Sequence, residues 1–259
     1  MIALPPDFAR DRRIASLKEY IMSSQHVVIV GGSSGIGLAT AILMLERGYE
    51  VTIAARNQEK LEAVRASNPR LKTCAFDATD QAGIRGAFTA IGPFDHLVLA
   101  MGSGHGAGPF ATLEIADLRA GFETKMIPHF ASAQAALPFL REGGSITFVS
   151  AVSAQSSMPG TSGLAAVNAA IEALVPVLAV ELKPLRVNAV SPGVVDTPWW
   201  DFLPPDQRGP TFDGFASRTP VGRVGKPEDI AETIAFLITN GFMSGHVVVC
   251  DGGVRLAAA

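Results

Sequence analysis

The sequence predicts an α/β fold, a single domain built on a doubly wound parallel sheet flanked by helices. Short β-branched runs alternate with helical patterns along the chain, and no linker or shift in composition interrupts them. Such alternation leads to parallel strands joined by right-handed crossovers. The first apolar run stops in a glycine-rich turn and restarts as a helix within residues 27–38. A length of 259 residues suits one large domain with an ample core.

The elements follow in order. Residues 1–21 form an N-terminal extension in which Ile14, Leu17 and Ile21 recur at helical spacing, and the domain proper spans 22–259. The turn at 30–37 reads Val-Gly-Gly-Ser-Ser-Gly-Ile-Gly. Gly31, Gly35 and Gly37 remove side chains that would hold a pyrophosphate away, and the helix opening near Gly35 aims N–H groups and partial positive charge at it. A dinucleotide site is predicted here.

That helix ends at Gly48, suited to a left-handed cap, before a second strand at 50–55, a helix at 57–67 and a third strand at 71–76. Asp80 caps a helix running to about residue 91, residues 93–95 turn, and 96–101 form a fourth strand ahead of the glycine-rich loop 102–108. Helices at about 114–140 and 161–182 flank a fifth strand at 145–149, and 186–190 is the sixth. Pro128 cannot donate to the Thr124 carbonyl, so the first of these helices should widen or kink there, and Pro176 should disturb the second. Pro227, Glu228 and Asp229 open the last helix, and 246–250 closes the sheet. Ligands of such a sheet bind at the carboxyl ends of its strands.

Composition narrows the functional classes. A net charge of −3 with no basic stripe disfavours nucleic acid. We read no stretch as long and apolar enough for a membrane span and no secretory layout at the N-terminus, so a cytoplasmic protein with no membrane role is expected. Cys74 and Cys250 lie in apolar strand patterns and read as buried, reduced thiols. No metal-ligand cluster is evident.

These motifs together resemble the short-chain dehydrogenase/reductase superfamily, over nearly all of residues 25–255. The turn at 30–37 matches the family's Thr-Gly-x3-Gly-x-Gly, with Val30 in place of threonine. Asp77-Ala78, the segment Arg186-Val-Asn-Ala-Val-Ser-Pro-Gly-Val-Val-Asp-Thr197 and Asp251-Gly252-Gly253 match further motifs in register. The resemblance implies a Rossmann-type domain and a nicotinamide dinucleotide. It places Gly31, Ser33, Ser34, Gly35, Ile36 and Gly37 at the phosphates and Asp77 and Ala78 near adenine. Ala100 and Gly102 then follow the fourth strand, and Pro192, Gly193, Val195 and Thr197 hold the nicotinamide end. At the end of the second strand an NAD-type site needs a carboxylate, whereas this chain has Ala55-Arg56; Arg56 offers a guanidinium to a 2′-phosphate and favours NADP(H) over NAD(H).

The family's catalytic set is missing. Its Tyr-x3-Lys motif aligns with Leu164 and Asn168, its serine with Ala151 and its asparagine with Lys125; the only tyrosines are Tyr20 and Tyr49. A lysine stands where asparagine belongs and an asparagine where lysine belongs, and in the family fold these positions face each other beside the nicotinamide ribose. Lys125 and Asn168 therefore read as an exchange, with a desolvated ammonium available to ribose hydroxyls or a substrate carbonyl. The residues alone read Lys125 equally well as an exposed helix lysine. Ser150 is a candidate hydroxyl, with its side chain directed away if the fifth strand continues that far; Ser153 and His105 are weaker candidates.

Trp199, Trp200, Phe202, Phe212 and Phe215 fall in the family's mobile substrate lid and fit a small apolar or aromatic ligand, or else seal the lid. In relatives the two long helices build the dimer interface, so a homodimer or homotetramer is expected. The sequence is thus compatible with an oxidoreductase acting on a small carbonyl or alcohol through a non-standard proton donor. It is also compatible with a non-catalytic nucleotide-binding pseudoenzyme or regulatory subunit, and with a cofactor-assisted isomerase or cyclase.

Overall fold

A computed structural model describes residues 25–257, so the expected extension and Tyr20 lie outside the described residues. The first strand, β1 (His26–Val30), is buried along its whole length. Val27 and Ile29 face one helix layer while Val28 and Val30 face the other, which is why the strand reads as a continuous apolar run. From it the chain passes through α1 (Gly35–Glu46), β2 (Glu50–Ala55), α2 (Gln58–Ser67), β3 (Lys72–Ala75), α3 (Gln81–Ile91) and β4 (Phe94–Leu99). The second half holds α4 (Ile115–Gly121), α5 (Ile127–Ala136), β5 (Leu140–Val149), α6 (Ser162–Glu181), β6 (Arg186–Pro192), α7 (Pro205–Arg218), α8 (Pro227–Thr239) and β7 (Val247–Cys250).

The seven strands pair in parallel in the order β3-β2-β1-β4-β5-β6-β7. Strand order reverses between β1 and β4, the point at which ligands of such sheets bind. Met44 of α1 and Ile230 and Ile234 of α8 cover one face of the sheet. Phe88 of α3, Ala133 and Ala136 of α5, and Ile171 and Val175 of α6 cover the other.

Several expectations hold in detail. β2 spans 50–55, Asp80 caps α3 through Ala82 N, and Gly48 has φ +88°. The region 114–140 departs from one long helix. α4 ends at Gly121, residues Phe122–Met126 form a π turn in which Ile127 N reaches back to the Phe122 carbonyl, and α5 follows. This is the widening expected from Pro128, and it falls on Lys125. A 3-10 turn at Leu137–Phe139 then ends the helical stretch, so β5 begins at Leu140, opposite Phe94, five residues ahead of the expected start. β4 likewise begins at Phe94, because Phe94 and Asp95 are buried rather than turning in solvent.

Three corrections follow from packing. α6 runs unbroken through Pro176: the ring lies on the exposed side while Ile171 and Val175 anchor the opposite face in the core. This 20-residue helix, with a mean hydropathy of 1.9 over its 18-residue window, is long and apolar enough to cross a membrane by length and composition, contrary to the sequence reading. Here it covers the sheet. Cys74 and Cys250 are free as expected, but only half-buried, because β3 and β7 are the two edge strands. Among the described residues no cluster of metal-ligating side chains occurs.

Candidate active site

The turn between β1 and α1 is shaped by contacts of backbone on backbone. A Cβ on Gly31 would lie 2.8 Å from the Ala100 carbonyl carbon, and one on Gly37 would overlap the Gly31 carbonyl oxygen. Gly31 and Gly37 are therefore required by the approach of β4 and of α1 itself, while Gly35, with φ +53°, lies at the mouth opposite Thr197. Gly32, which sequence reasoning passed over, packs its α-carbon against Ile53. Ser34 precedes α1 in extended conformation and makes no side-chain cap, and no acidic residue stands in the first turn. The first N–H groups of α1 consequently keep their capacity to bind an anion. Ile36 contributes its backbone here; its side chain packs into the core.

At the end of β2, Arg56 is exposed and makes no hydrogen bond or ion pair among the described residues. Asp77 lies within range of its charge. The Asp77 carboxylate accepts from Thr79 N (2.9 Å) and Thr79 Oγ1 (2.8 Å), and these bonds, aided by Arg56, hold its pKa below the usual carboxylate value. Ala78 is packed against the core. Ala100 N donates to the Val30 carbonyl (2.8 Å), and Gly102 lies beneath the edge of Trp199. Pro192 ends β6, Gly193 is pressed against Asp251, and Val195 is buried in a bridge with Gly225. Thr197 Oγ1 accepts from Trp199 N. The phosphate turn, Ala100, Gly102 and Thr197 thus meet around one crevice.

Lys125 and Asn168, 43 residues apart, are in direct contact. Lys125 Nζ donates to Asn168 Oδ1 (2.7 Å) and to the Ser150 carbonyl (3.2 Å). Asn168 Nδ2 in turn donates to the Leu164 carbonyl (2.9 Å) and to Ser153 Oγ (3.2 Å). Lys125 is only 7% exposed, so the reading of an exposed helix lysine is set aside. Burial lowers its pKa to about 8, with Glu172 opposing the shift. An ammonium has three donors, and the protein engages two.

Ser150 is a correction. Its Oγ turns away from Lys125 and donates to Glu172 Oε1 (2.7 Å), because alternation along β5 directs the side chain to the other side, and only its carbonyl enters the site. Ser153 comes closer than sequence reasoning placed it, through Asn168. His129 was missed. Its ring nitrogens lie 2.8 Å from the Lys125 carbonyl and 3.1 Å from the Leu99 carbonyl, and the neutral ring donates to one of the two, placing it between the π turn and the end of β4. Burial and the neighbouring Lys125 lower its pKa to about 3 and keep it neutral. Its position four residues after Lys125 was the available signal.

The loop after β4 is pinned from several sides. His105 Nδ1 meets Asp117 Oδ1 (2.6 Å), Gly106 N donates to Asp117 Oδ2 (2.7 Å), and Leu164 N donates to the Gly106 carbonyl (3.1 Å). Trp199 Nε1 donates to the Ser103 carbonyl (2.9 Å), binding the lid to this loop, and Trp200 Nε1 to the Val195 carbonyl (3.0 Å). The lid aromatics pack on one another, with the Trp199 and Trp200 ring centroids 4.7 Å apart and Phe212 and Phe215 each 5.6 Å from Trp200. They sit partly on α7, a helix concealed in the sequence by Pro204, Pro205, Gly209, Pro210 and Gly214. Tyr49, by contrast, lies before β2, at the opposite end of the sheet, with its ring beside His96.

A parallel sheet of this order with an uncapped glycine turn after β1 defines a nucleotide-binding α/β protein, and comparison narrows the class. A family model described as Enoyl-(Acyl carrier protein) reductase matches residues 30–255, and the chain belongs to the short-chain dehydrogenase/reductase superfamily. Over 239 residues it is 33% identical to the cis-4-hydroxycyclohexanecarboxylate dehydrogenase of Sinomonas cyclohexanicum, covering 87% of this chain and 94% of that one. The crystal structure of a small-chain dehydrogenase in complex with NADPH aligns with a TM-score of 0.80 at 34% identity, over 90% of this chain and 100% of the other. An apo short-chain oxidoreductase from Pseudomonas aeruginosa PAO1, described as containing an atypical catalytic center, aligns with a TM-score of 0.81 at 29% identity, over 90% and 98% of the two chains.

Proposed function

We propose that this protein is an NADP(H)-dependent oxidoreductase that interconverts a small carbonyl compound and its alcohol, with Lys125 supplying the proton that a tyrosine supplies in most of its superfamily. The observation that carries this reading is the buried contact of Lys125 Nζ with Asn168 Oδ1 at 2.7 Å. The uncapped first turn of α1, Arg56 with no partner among the described residues and the superfamily's NADPH-bound member support the cofactor. When bound, the nicotinamide group supplies or accepts the hydride. Gly31, Gly35 and Gly37 with the N–H groups at Ser33, Ser34 and Ile36 hold its pyrophosphate, Arg56 its 2′-phosphate, Asp77 and Ala78 its adenine end, and Pro192, Gly193, Val195 and Thr197 its nicotinamide end.

Lys125 Nζ carries the proton toward the substrate oxygen on its third, unengaged N–H. Transfer of that proton leaves a neutral amine whose remaining two N–H groups still serve Asn168 and Ser150, so both protonation states fit the same cradle. A pKa near neutrality suits both giving and regaining the proton. Asn168, fixed by Leu164 and Ser153, accepts from Lys125 without adding a second positive charge. The aromatic lid favours a small apolar or aromatic substrate, and Ile127 and Phe130, 41% and 43% exposed on α5, favour self-association into a homodimer or homotetramer.

A second reading rests on Leu164 at the tyrosine position: a nucleotide-binding protein without hydride transfer. Fluorescence titration with NADPH followed by turnover on a panel of alkyl and aryl ketones and aldehydes separates the two. The oxidoreductase reading expects tight binding and NADPH consumption with at least one carbonyl; tight binding with no turnover favours the second.

A further inference from the structure

Glu172 lies one helical turn beyond Asn168 on α6, and three donors converge on it. Ser191 Oγ (2.8 Å) and Ser150 Oγ (2.7 Å) donate to Oε1, the Ser150 hydroxyl at this shorter distance than its other acceptor, the Val190 carbonyl (3.2 Å), and Gln155 Nε2 (2.7 Å) donates to Oε2. Three donors on one group call for an acceptor on every side, which an ionised carboxylate is and a glutamine is not. All three donors are neutral. No lysine or arginine pairs with Glu172 among the described residues.

The contacts made by Glu172 lead back to the ammonium. Ser150 directly follows β5 and Ser191 lies in β6, and Gln155 follows the 3-10 turn at Val152–Ala154, which also carries Ser153. One carboxylate therefore ties two neighbouring strand ends and the loop between β5 and α6. The residue it grips through Oγ, Ser150, is the one whose carbonyl receives Lys125 Nζ.

We infer that Glu172 is a positioning residue and the counter-charge of Lys125: through Ser150 it fixes the carbonyl that receives Nζ. The inference rests on the proposed reading for its catalytic meaning. Its electrostatic content is independent of that reading. The groups touching Lys125 are Asn168 from α6, the Ser150 carbonyl just after β5, and His129 from α5, while Glu172 reaches it through Ser150 and acts on it by charge. Of these, His129 is held neutral and Asn168 does not titrate, which leaves Glu172 as the charge opposing the effect of burial.

The chain contains six lysines, so the side-chain signals of 13C-labelled lysine can be followed individually by NMR, with Lys125 assigned by its loss in Lys125→Met. The full-length protein is titrated as wild type, Glu172→Gln and Glu172→Asp, with Tm recorded for each. Glu172→Gln should lower the Lys125 midpoint by about one unit, a tenfold change in the proton equilibrium. Glu172→Asp, which keeps the charge, should restore most of that shift. A Glu172→Gln midpoint equal to the wild type's in a folded protein overturns the inference, as does an equal shift in both variants.

Turnover of the carbonyl panel by Lys125→Met separates this inference from the functional reading. Undiminished turnover with a shifted Glu172→Gln midpoint removes Lys125 from the chemistry and leaves the counter-charge standing. Lost turnover with an unshifted midpoint does the reverse. A merely structural role for Glu172 would lower Tm in both Glu172 variants and leave the midpoint in place.

Discussion

The crevice joins two regions built on opposite principles. Around the glycine turn the groups available to a ligand are the N–H groups of the uncapped first turn of α1 and an exposed guanidinium without a partner among the described residues. Around Lys125 the groups are buried side chains bonded to one another: Lys125 to Asn168 and Ser150, Asn168 to Ser153 and Leu164, Ser150 to Glu172. The first region waits for an anion and asks of its residues mainly that they be small. The second is closed, so replacing one member obliges the others to change. Such interlocking fits the reading of Lys125 and Asn168 as an exchange of lysine and asparagine across two helices.

This contrast can be broken most severely in the turn. Gly37→Ala drives a methyl group into the Gly31 carbonyl, and rigid backbone on both sides should make it cost ~3 kcal/mol or more and abolish NADPH binding. Calorimetry with fluorescence titration checks both effects. A stable variant with normal affinity would mean that the turn is more plastic than its contacts imply.

Next in size is Lys125→Met. It should reduce hydride transfer to the substrate by roughly a hundredfold or more while NADPH still binds, the scale of losing a general acid. It also leaves Asn168 Oδ1 and the Ser150 carbonyl without their donor, so Tm should fall by an amount equivalent to ~1–3 kcal/mol.

The closed region and the core beneath it also predict acid sensitivity. Burial lowers the pKa of His96 to about 4, and burial together with Lys125 lowers that of His129 to about 3, whereas both take 6.5 in the unfolded chain. Below about pH 6.5 the unfolded chain binds protons that the folded one refuses, so this contribution to stability is present above that pH and is lost as pH falls toward 4. Chemical denaturation at pH 7 and pH 5 should show a loss of about 2–4 kcal/mol. His96→Gln should flatten the slope.

Arg56→Ala tests the open region more gently. It should remove at least a tenfold preference for NADPH over NADH, since a charge-assisted hydrogen bond contributes ~1.5–3 kcal/mol. Unchanged preference would place the discriminating group elsewhere. Smallest of all, His105→Asn should leave NADPH affinity and Tm at wild-type values, because its partner Asp117 is a solvated surface residue. A large loss of turnover in that variant would move the proton donor from Lys125 to the loop after β4.

The open region was legible in the sequence for a physical reason. Where backbone meets backbone, as at Gly31 and Gly37, only one residue type fits, and the requirement survives as a motif. The pairing of Lys125 with Asn168 was legible only because both stand in positions defined by the superfamily pattern. Glu172 and His129 were passed over, since their partners lie on other elements and only a spacing of four residues from Asn168 and Lys125 hints at a shared face. Ser150 was named for its hydroxyl, with the outward direction of that side chain foreseen, whereas its carbonyl is the group that meets Lys125. The lid helix α7 stayed hidden because its prolines and glycines mimic a loop, and the aromatic packing that holds it is non-local.

The central claim is that the ammonium of Lys125 faces the reacting end of the cofactor, and a crystal structure of the protein soaked with NADP+ tests it most directly. The account predicts Lys125 Nζ still bonded to Asn168 Oδ1, with its third N–H within about 2.7–3.2 Å of a nicotinamide ribose hydroxyl or of a water beside the nicotinamide C4. A cofactor bound with its phosphates on the turn but with Lys125 screened from the nicotinamide by Leu164 or Ser153 would contradict it.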